Sequence, residues 1–143
     1  MSLTATARSV PGTLRQEVDL GRHALYTDQP QSAGGEGRGP SPHELVAAAL
    51  AACVAFTLAA YARTKQWDLG VVSVTVDYDH HATPRRCLVR IGLEGDLTPL
   101  QLERLRKVAA ACPVRRSLEA GFVFEESIDV AQSARPSEAA SRG

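Results

Sequence analysis

From residue 45 to residue 60 the chain carries no charged side chain and is built from Ala, Leu, Val, Cys, Phe and Thr. Val46, Ala49, Leu50, Cys53, Phe56, Thr57 and Ala60 recur at helical spacing, and the opposite side carries Ala rather than charge. The pattern predicts a helix that is apolar over most of its circumference. Ser41 supplies an N-cap, Pro42 the first helical position, and Glu44, three residues after the cap, the acid of a capping box. The helix is expected to run to about Lys65, about 36 Å at the usual rise. It must be buried on nearly all sides, and 143 residues are few to surround it. Its small side chains allow close backbone approach, so a second subunit is expected to pack on it.

Elsewhere the pattern is shorter. Runs at residues 4–10 and 13–18, with Pro11-Gly12 and Gly21-Arg22 as breaks, predict a β-meander up to residue 27. Residues 27–42 turn to Gly, Pro, Ser, Gln and Asp and read as a mobile loop. Val72, Val74 and Val76 alternate within a strand at 71–78, which pairs with another at 87–93 across a polar connection. A second helix opens at Pro99, with Leu102, Leu105, Val108 and Ala109 on one face, and ends near Ala111. Cys112-Pro113 starts a short helix that stops at Gly121, and a last strand is expected over 122–130.

The length fits one domain, residues 1–131, with 132–143 a disordered tail rich in Ser, Ala, Arg and Gly. Sixteen basic and sixteen acidic side chains cancel, and no basic patch with interleaved aromatics forms, so nucleic acid is not an expected partner. No signal-peptide pattern opens the chain. The apolar run is read as short of the roughly 18 residues that cross a bilayer, so no membrane partner and a cytoplasmic location are expected. There the three cysteines are read as thiols rather than bridges, with Cys87 lacking an obvious partner.

Cys53, in the long helix, and Cys112, before Pro113, are the candidate chemistry. A thiolate can attack a peroxide oxygen and become a sulfenic acid, which a second thiol converts to a disulfide. Buried cysteines also serve simply as core filler. As an N-cap, Cys112 has unpaired backbone N–H groups and the helix dipole beside it, so local physics makes it the more acidic thiol. Cys53, among Ala and Leu, is raised by desolvation unless a cation or donor approaches; Arg15, Arg22 and Arg38 are the candidates for that role. His80, His81 and Cys87 lack metal-ligand spacing, and adjacent histidines are expected to diverge, so no metal site is read there.

The chain resembles the OsmC/Ohr family over about residues 20–130. The resemblance is carried by Gly21-Arg22-His23, the turn from Asp28 to Pro30, Gly34-Gly35, Gly39-Pro40-Ser41-Pro42-His43-Glu44-Leu45, Ala51-Ala52-Cys53, Tyr61-Ala62-Arg63, Trp67, Gly95-Asp96-Leu97 and Ala111-Cys112-Pro113-Val114. It implies an α+β fold in which two chains interlock as a homodimer, sharing antiparallel sheets around central helices. It also implies a thiol peroxidase acting on organic hydroperoxides, with Cys53 peroxidatic and Cys112 resolving, no cofactor, and a dithiol as reductant. That order of the thiols reverses the local ranking.

Two positions depart from the family pattern. The glutamate expected directly after the helix-start proline is His43 here, and the acid comes one residue later as Glu44. That step moves it about 100° around the helix axis, roughly opposite Cys53. The arginine that the resemblance implies is assigned first to Arg22 and second to Arg38, and Arg115 takes a place where the family often has histidine. The alternative function is a non-catalytic protein that binds or senses a small apolar ligand at the dimer interface.

Overall fold

A computed structural model describes residues 2–130. The tail expected over 132–143 lies outside the described residues. The architecture is α+β with two antiparallel sheets. Strands β1 (Thr6–Ser9), β2 (Gln16–Asp19) and β3 (Ala24–Thr27) form the expected meander, with Val18 opposite both Ala7 and Leu25. Helix α1 (Pro42–Lys65) follows, then the hairpin β4 (Val72–Asp79) and β5 (Arg86–Leu93), helix α2 (Pro99–Ala110) and helix α3 (Pro113–Ala120).

Capping sets the ends of the helices. The Ser41 hydroxyl accepts from the Glu44 N–H while the Glu44 carboxylate accepts from the Ser41 N–H, and Thr98 and Gln101 repeat the arrangement at α2. Gly121, at φ 78°, ends α3 in a backbone conformation that a side chain would resist.

Alternation places Val72, Val74, Val76 and Tyr78 on the inner face of β4, where the hairpin packs on α1. Leu50, Val54, Leu58 and Ala62, four apart along α1, meet Leu69, Leu105, Ala109 and Cys112 in the core. The other side of α1 is open: Ala49, Ala52, Phe56, Ala59 and Ala60 are exposed, Phe56 at 74%. One chain therefore does not bury this helix on nearly all sides. A further correction concerns its length. By length and composition alone α1 is long and apolar enough to cross a bilayer, because no charge interrupts it from Leu45 to Ala62.

Two expectations about irregular segments also change. Residues 122–130 form no strand among the described residues and leave Phe122, Val123, Phe124 and Ile128 exposed. Alternation alone supplies no neighbouring edge for their backbone groups to pair with. The glycine-rich stretch is more tied down than its composition suggests. The buried Asp28 carboxylate accepts N–H groups from Gln29, Glu36 and Arg38, the Asp28 N–H donates to Pro40, and a 3-10 turn covers Gln31–Ala33. Gly35 lies so close to the Gln29 carbonyl that a Cβ there would collide with it.

Candidate active site

The two thiols are brought together by helix packing. Helix α2 runs along α1 and ends one residue before Ala111, so the next residue, Cys112, is delivered to the α1 surface as the N-cap of α3. Cys112 is fully buried, at 0% exposure, and Cys53 is half-buried and packs against the same core. Both are free thiols, as is the exposed Cys87 on β5.

Their electrostatics are opposite. Burial pushes the Cys53 thiol up, but the Val114 N–H, the Cys112 thiol and the Thr57 hydroxyl together hold it below its ordinary value. Thr57 is one turn away, with its oxygen 4.0 Å from the sulfur. Burial also pushes the Cys112 thiol up; the Arg115 N–H opposes this, and the neighbouring Cys53 raises it further. The amide end of α3 acts on both thiols, since the Val114 N–H lowers Cys112 as well as Cys53; burial and the neighbouring Cys53 keep Cys112 above its ordinary value. The ranking by local dipole is corrected: Cys53 is the more acidic thiol, because the Cys112 thiol favours charge on Cys53 while burial and Cys53 itself disfavour charge on Cys112.

No arginine is among the groups that set the Cys53 pKa. Arg22 lies exposed in the turn between β2 and β3, and Arg38 is exposed and paired with Glu36 at 3.6 Å. Arg15 differs from both. It is half-buried, its guanidinium stands 5.5 Å from the Tyr26 ring centroid, and its buried Nε has no hydrogen-bond partner among the described residues. It also stands near Asp28. Burial raises the Asp28 carboxyl, but three backbone N–H groups and the Arg15 charge bring it below the usual carboxylate value. Sequence reading named Arg15 as a candidate without ranking it, and nothing in the local pattern distinguishes it; the Asp28-Gln29-Pro30 turn was the one available pointer to Asp28.

Glu44 is exposed and committed to the α1 capping box. His43 turns toward the hairpin. Its ring stacks on His80 at 3.9 Å and meets Tyr78 edge-on at 6.0 Å. His80 and His81 do not diverge as expected, since Asp79 accepts the His81 and Ala82 N–H groups and tightens the turn, leaving their ring centroids 4.0 Å apart. Burial and the neighbouring His43 and His81 lower the His80 pKa, Arg85 acts in the same direction, and Asp79 opposes them.

These features can be set beside known proteins. The OsmC-like protein family model matches residues 35–127. No curated protein sequence matches the chain. Among solved structures, the organic hydroperoxide resistance protein OsmC of Legionella pneumophila is 27% identical, with a TM-score of 0.62 over 81% of this chain and 88% of that one. An OsmC-like protein from Mycoplasma pneumoniae has a TM-score of 0.70 at 16% identity, covering 83% of this chain and 88% of the other. The organic hydroperoxide resistance protein OhrB of Bacillus subtilis has a TM-score of 0.53 at 21% identity, covering 81% and 89%. With a family match that takes in both Cys53 and Cys112, the chain belongs to the OsmC-like protein family.

Proposed function

We propose that this protein is a cytoplasmic, homodimeric thiol peroxidase that reduces organic hydroperoxides through Cys53 and Cys112. The observation that carries the proposal is the placing of a half-buried Cys53, its thiol held below the ordinary value in part by Cys112, beside a fully buried Cys112 whose own thiol is pushed up. In the reaction, the Cys53 thiolate attacks the distal peroxide oxygen. The O–O bond breaks, the alcohol leaves with a proton, and Cys53 becomes a sulfenic acid. The Cys112 sulfur then displaces hydroxide from Cys53, releasing water and forming a disulfide that an external dithiol reduces by exchange. The names of the Legionella and Bacillus proteins support the substrate class.

The second subunit covers the open side of α1 in this reading. Phe56 and the alanines beside it form an apolar stripe, and residues 122–130 supply exposed apolar side chains and unpaired backbone for strand exchange. An activating arginine then comes from the meander of the partner chain. Arg15, with a free buried Nε and Asp28 near it, suits that role better than Arg22 or Arg38. Asp28 in turn stands in for the carboxylate absent at His43.

A second reading is favoured by one observation: His43 is engaged with His80 and Tyr78. Without the glutamate, the fold would then hold or sense an apolar ligand with no turnover. Consumption of cumene hydroperoxide by pre-reduced protein decides between them. Wild type should consume it catalytically with a dithiol, and Cys53→Ser should not. A wild type no faster than Cys53→Ser excludes the peroxidase.

A further inference from the structure

At the C-terminal end of α1, away from the thiols, three cations surround an aromatic floor. Lys65 and Arg104 each place their charge 5.8 Å from the centroid of the Tyr61 ring, and the Arg104 Nε donates to the Tyr61 hydroxyl at 2.9 Å. Trp67 meets Tyr61 edge-on at 5.7 Å. With Leu100, which is 81% exposed, and Lys107, these side chains line a concavity of about 430 Å³. Its volume lies within the usual range for small-molecule sites.

The charge balance of this concavity is one-sided. Among the described residues, Lys65, Arg104 and Lys107 form no ion pair. The rim carboxylate, Glu103, is occupied, since both its oxygens accept from Arg106, at 3.1 and 2.7 Å. Lys65 and Lys107 stand in the last turns of their helices, where carbonyl ends favour cations. Arg104 has no such reason to be there. Its Nε is spent on Tyr61, which holds the remaining guanidinium nitrogens over the concavity, and a planar fork of this kind matches a carboxylate. Beside these heads lie the indole of Trp67, which packs partly on the core, and the exposed side chain of Leu100. Glu103 also feels the Lys107 charge, but neither lysine nor Arg104 makes a direct ion pair among the described residues, and such cations next to the exposed Leu100 complement an anion that carries a hydrophobic body.

We propose that this concavity binds an amphiphilic carboxylate, a fatty or arylalkyl acid, with its head between Lys65, Arg104 and Lys107 and its body against Trp67 and Leu100. Tyr61 is about 12 Å along α1 from Cys53, so the seat is separate from the thiols and does not rest on their chemistry.

Calorimetric titration of the full-length protein with decanoate, decanol and inorganic phosphate tests the proposal. Decanoate is expected to bind, with decanol and phosphate each at least about tenfold weaker because each lacks one half of the match. Raising salt should weaken decanoate. Lys65→Ala/Arg104→Ala should weaken it about tenfold, and Lys107→Glu, on the surface, should also weaken it. Cys53→Ser should leave it unchanged, so failure of the peroxidase reading would not affect this result. The inference is overturned if decanol binds as well as decanoate, or if the charge variants bind like wild type. It is also overturned if decanoate is not bound while phosphatidylglycerol vesicles sediment the protein, since the patch would then serve a lipid surface.

Discussion

Replacing Cys112 with alanine should make Cys53 a poorer nucleophile even where no disulfide is required. The Cys53 thiolate is favoured against burial by the Val114 N–H, the Cys112 thiol and the Thr57 hydroxyl. Cys112→Ala deletes one of these donors and leaves the other two. A hydrogen bond of this kind contributes about 0.5–1.5 kcal/mol, so the thiolate population near neutral pH should fall roughly two- to tenfold. Thr57→Val should do less, because its oxygen stands 4.0 Å from the sulfur. Cys112→Ser, which keeps a donor, should retain most of the wild-type behaviour. The assay is the rate of iodoacetamide alkylation against pH on pre-reduced protein. It is run in a Cys87→Ser background, because the exposed Cys87 would add a second reactive thiol, whereas Cys112 is shielded. If Cys112→Ala leaves the midpoint unchanged or moves it down, the account of Cys53 is wrong. The reciprocal variant is equally informative: Cys53 raises Cys112, so in Cys53→Ser/Cys87→Ser the Cys112 titration, followed by ultraviolet thiolate absorbance because the sulfur is shielded from reagents, should move toward lower pH.

Other measurements bear on the surroundings. Asp28 has a folded pKa below its ordinary value, so the stability it contributes is present above about pH 4 and is lost as pH falls through the folded pKa. Asp28→Asn should therefore flatten the acid limb of a pH-dependent melting curve below about pH 4, and an unchanged limb would exclude this role. In the proposed dimer the apolar stripe of α1 is the interface, so Phe56→Glu, which places charge there, should give a monomer in light scattering where wild type gives a dimer; a wild type that is monomeric, or a variant that stays dimeric, would exclude that interface. His43→Ala should raise the His80 pKa in an NMR titration, because the neighbouring imidazole is among the groups that lower it. Leu58→Ala, at a position with 0% exposure, should cost about 2–5 kcal/mol in denaturant unfolding. A smaller loss would mean the core at α1 is looser than its packing indicates.

The sequence by itself determined the three helices, the N-terminal meander and the β4–β5 hairpin in their order, because the signals are local. Ser41-Pro42 with Glu44, Pro99 at the start of α2, and the period-two valines of β4 each act within a few residues and were found where they were expected. The thiols were also legible as candidates. Their ranking was not, because the Cys53 pKa depends on the Val114 amide and the Cys112 thiol, which are far away in sequence. For the same reason Arg15 and Asp28 went unranked: what distinguishes them is a buried Nε and three converging N–H groups, which only packing creates. Residues 122–130 show the same limit in a strand, since alternation specifies a face but not the edge that completes its hydrogen bonds. Local propensity acts over a turn or two of chain, whereas charge, burial and pairing depend on neighbours brought close by the fold, and those neighbours only the tertiary structure decided.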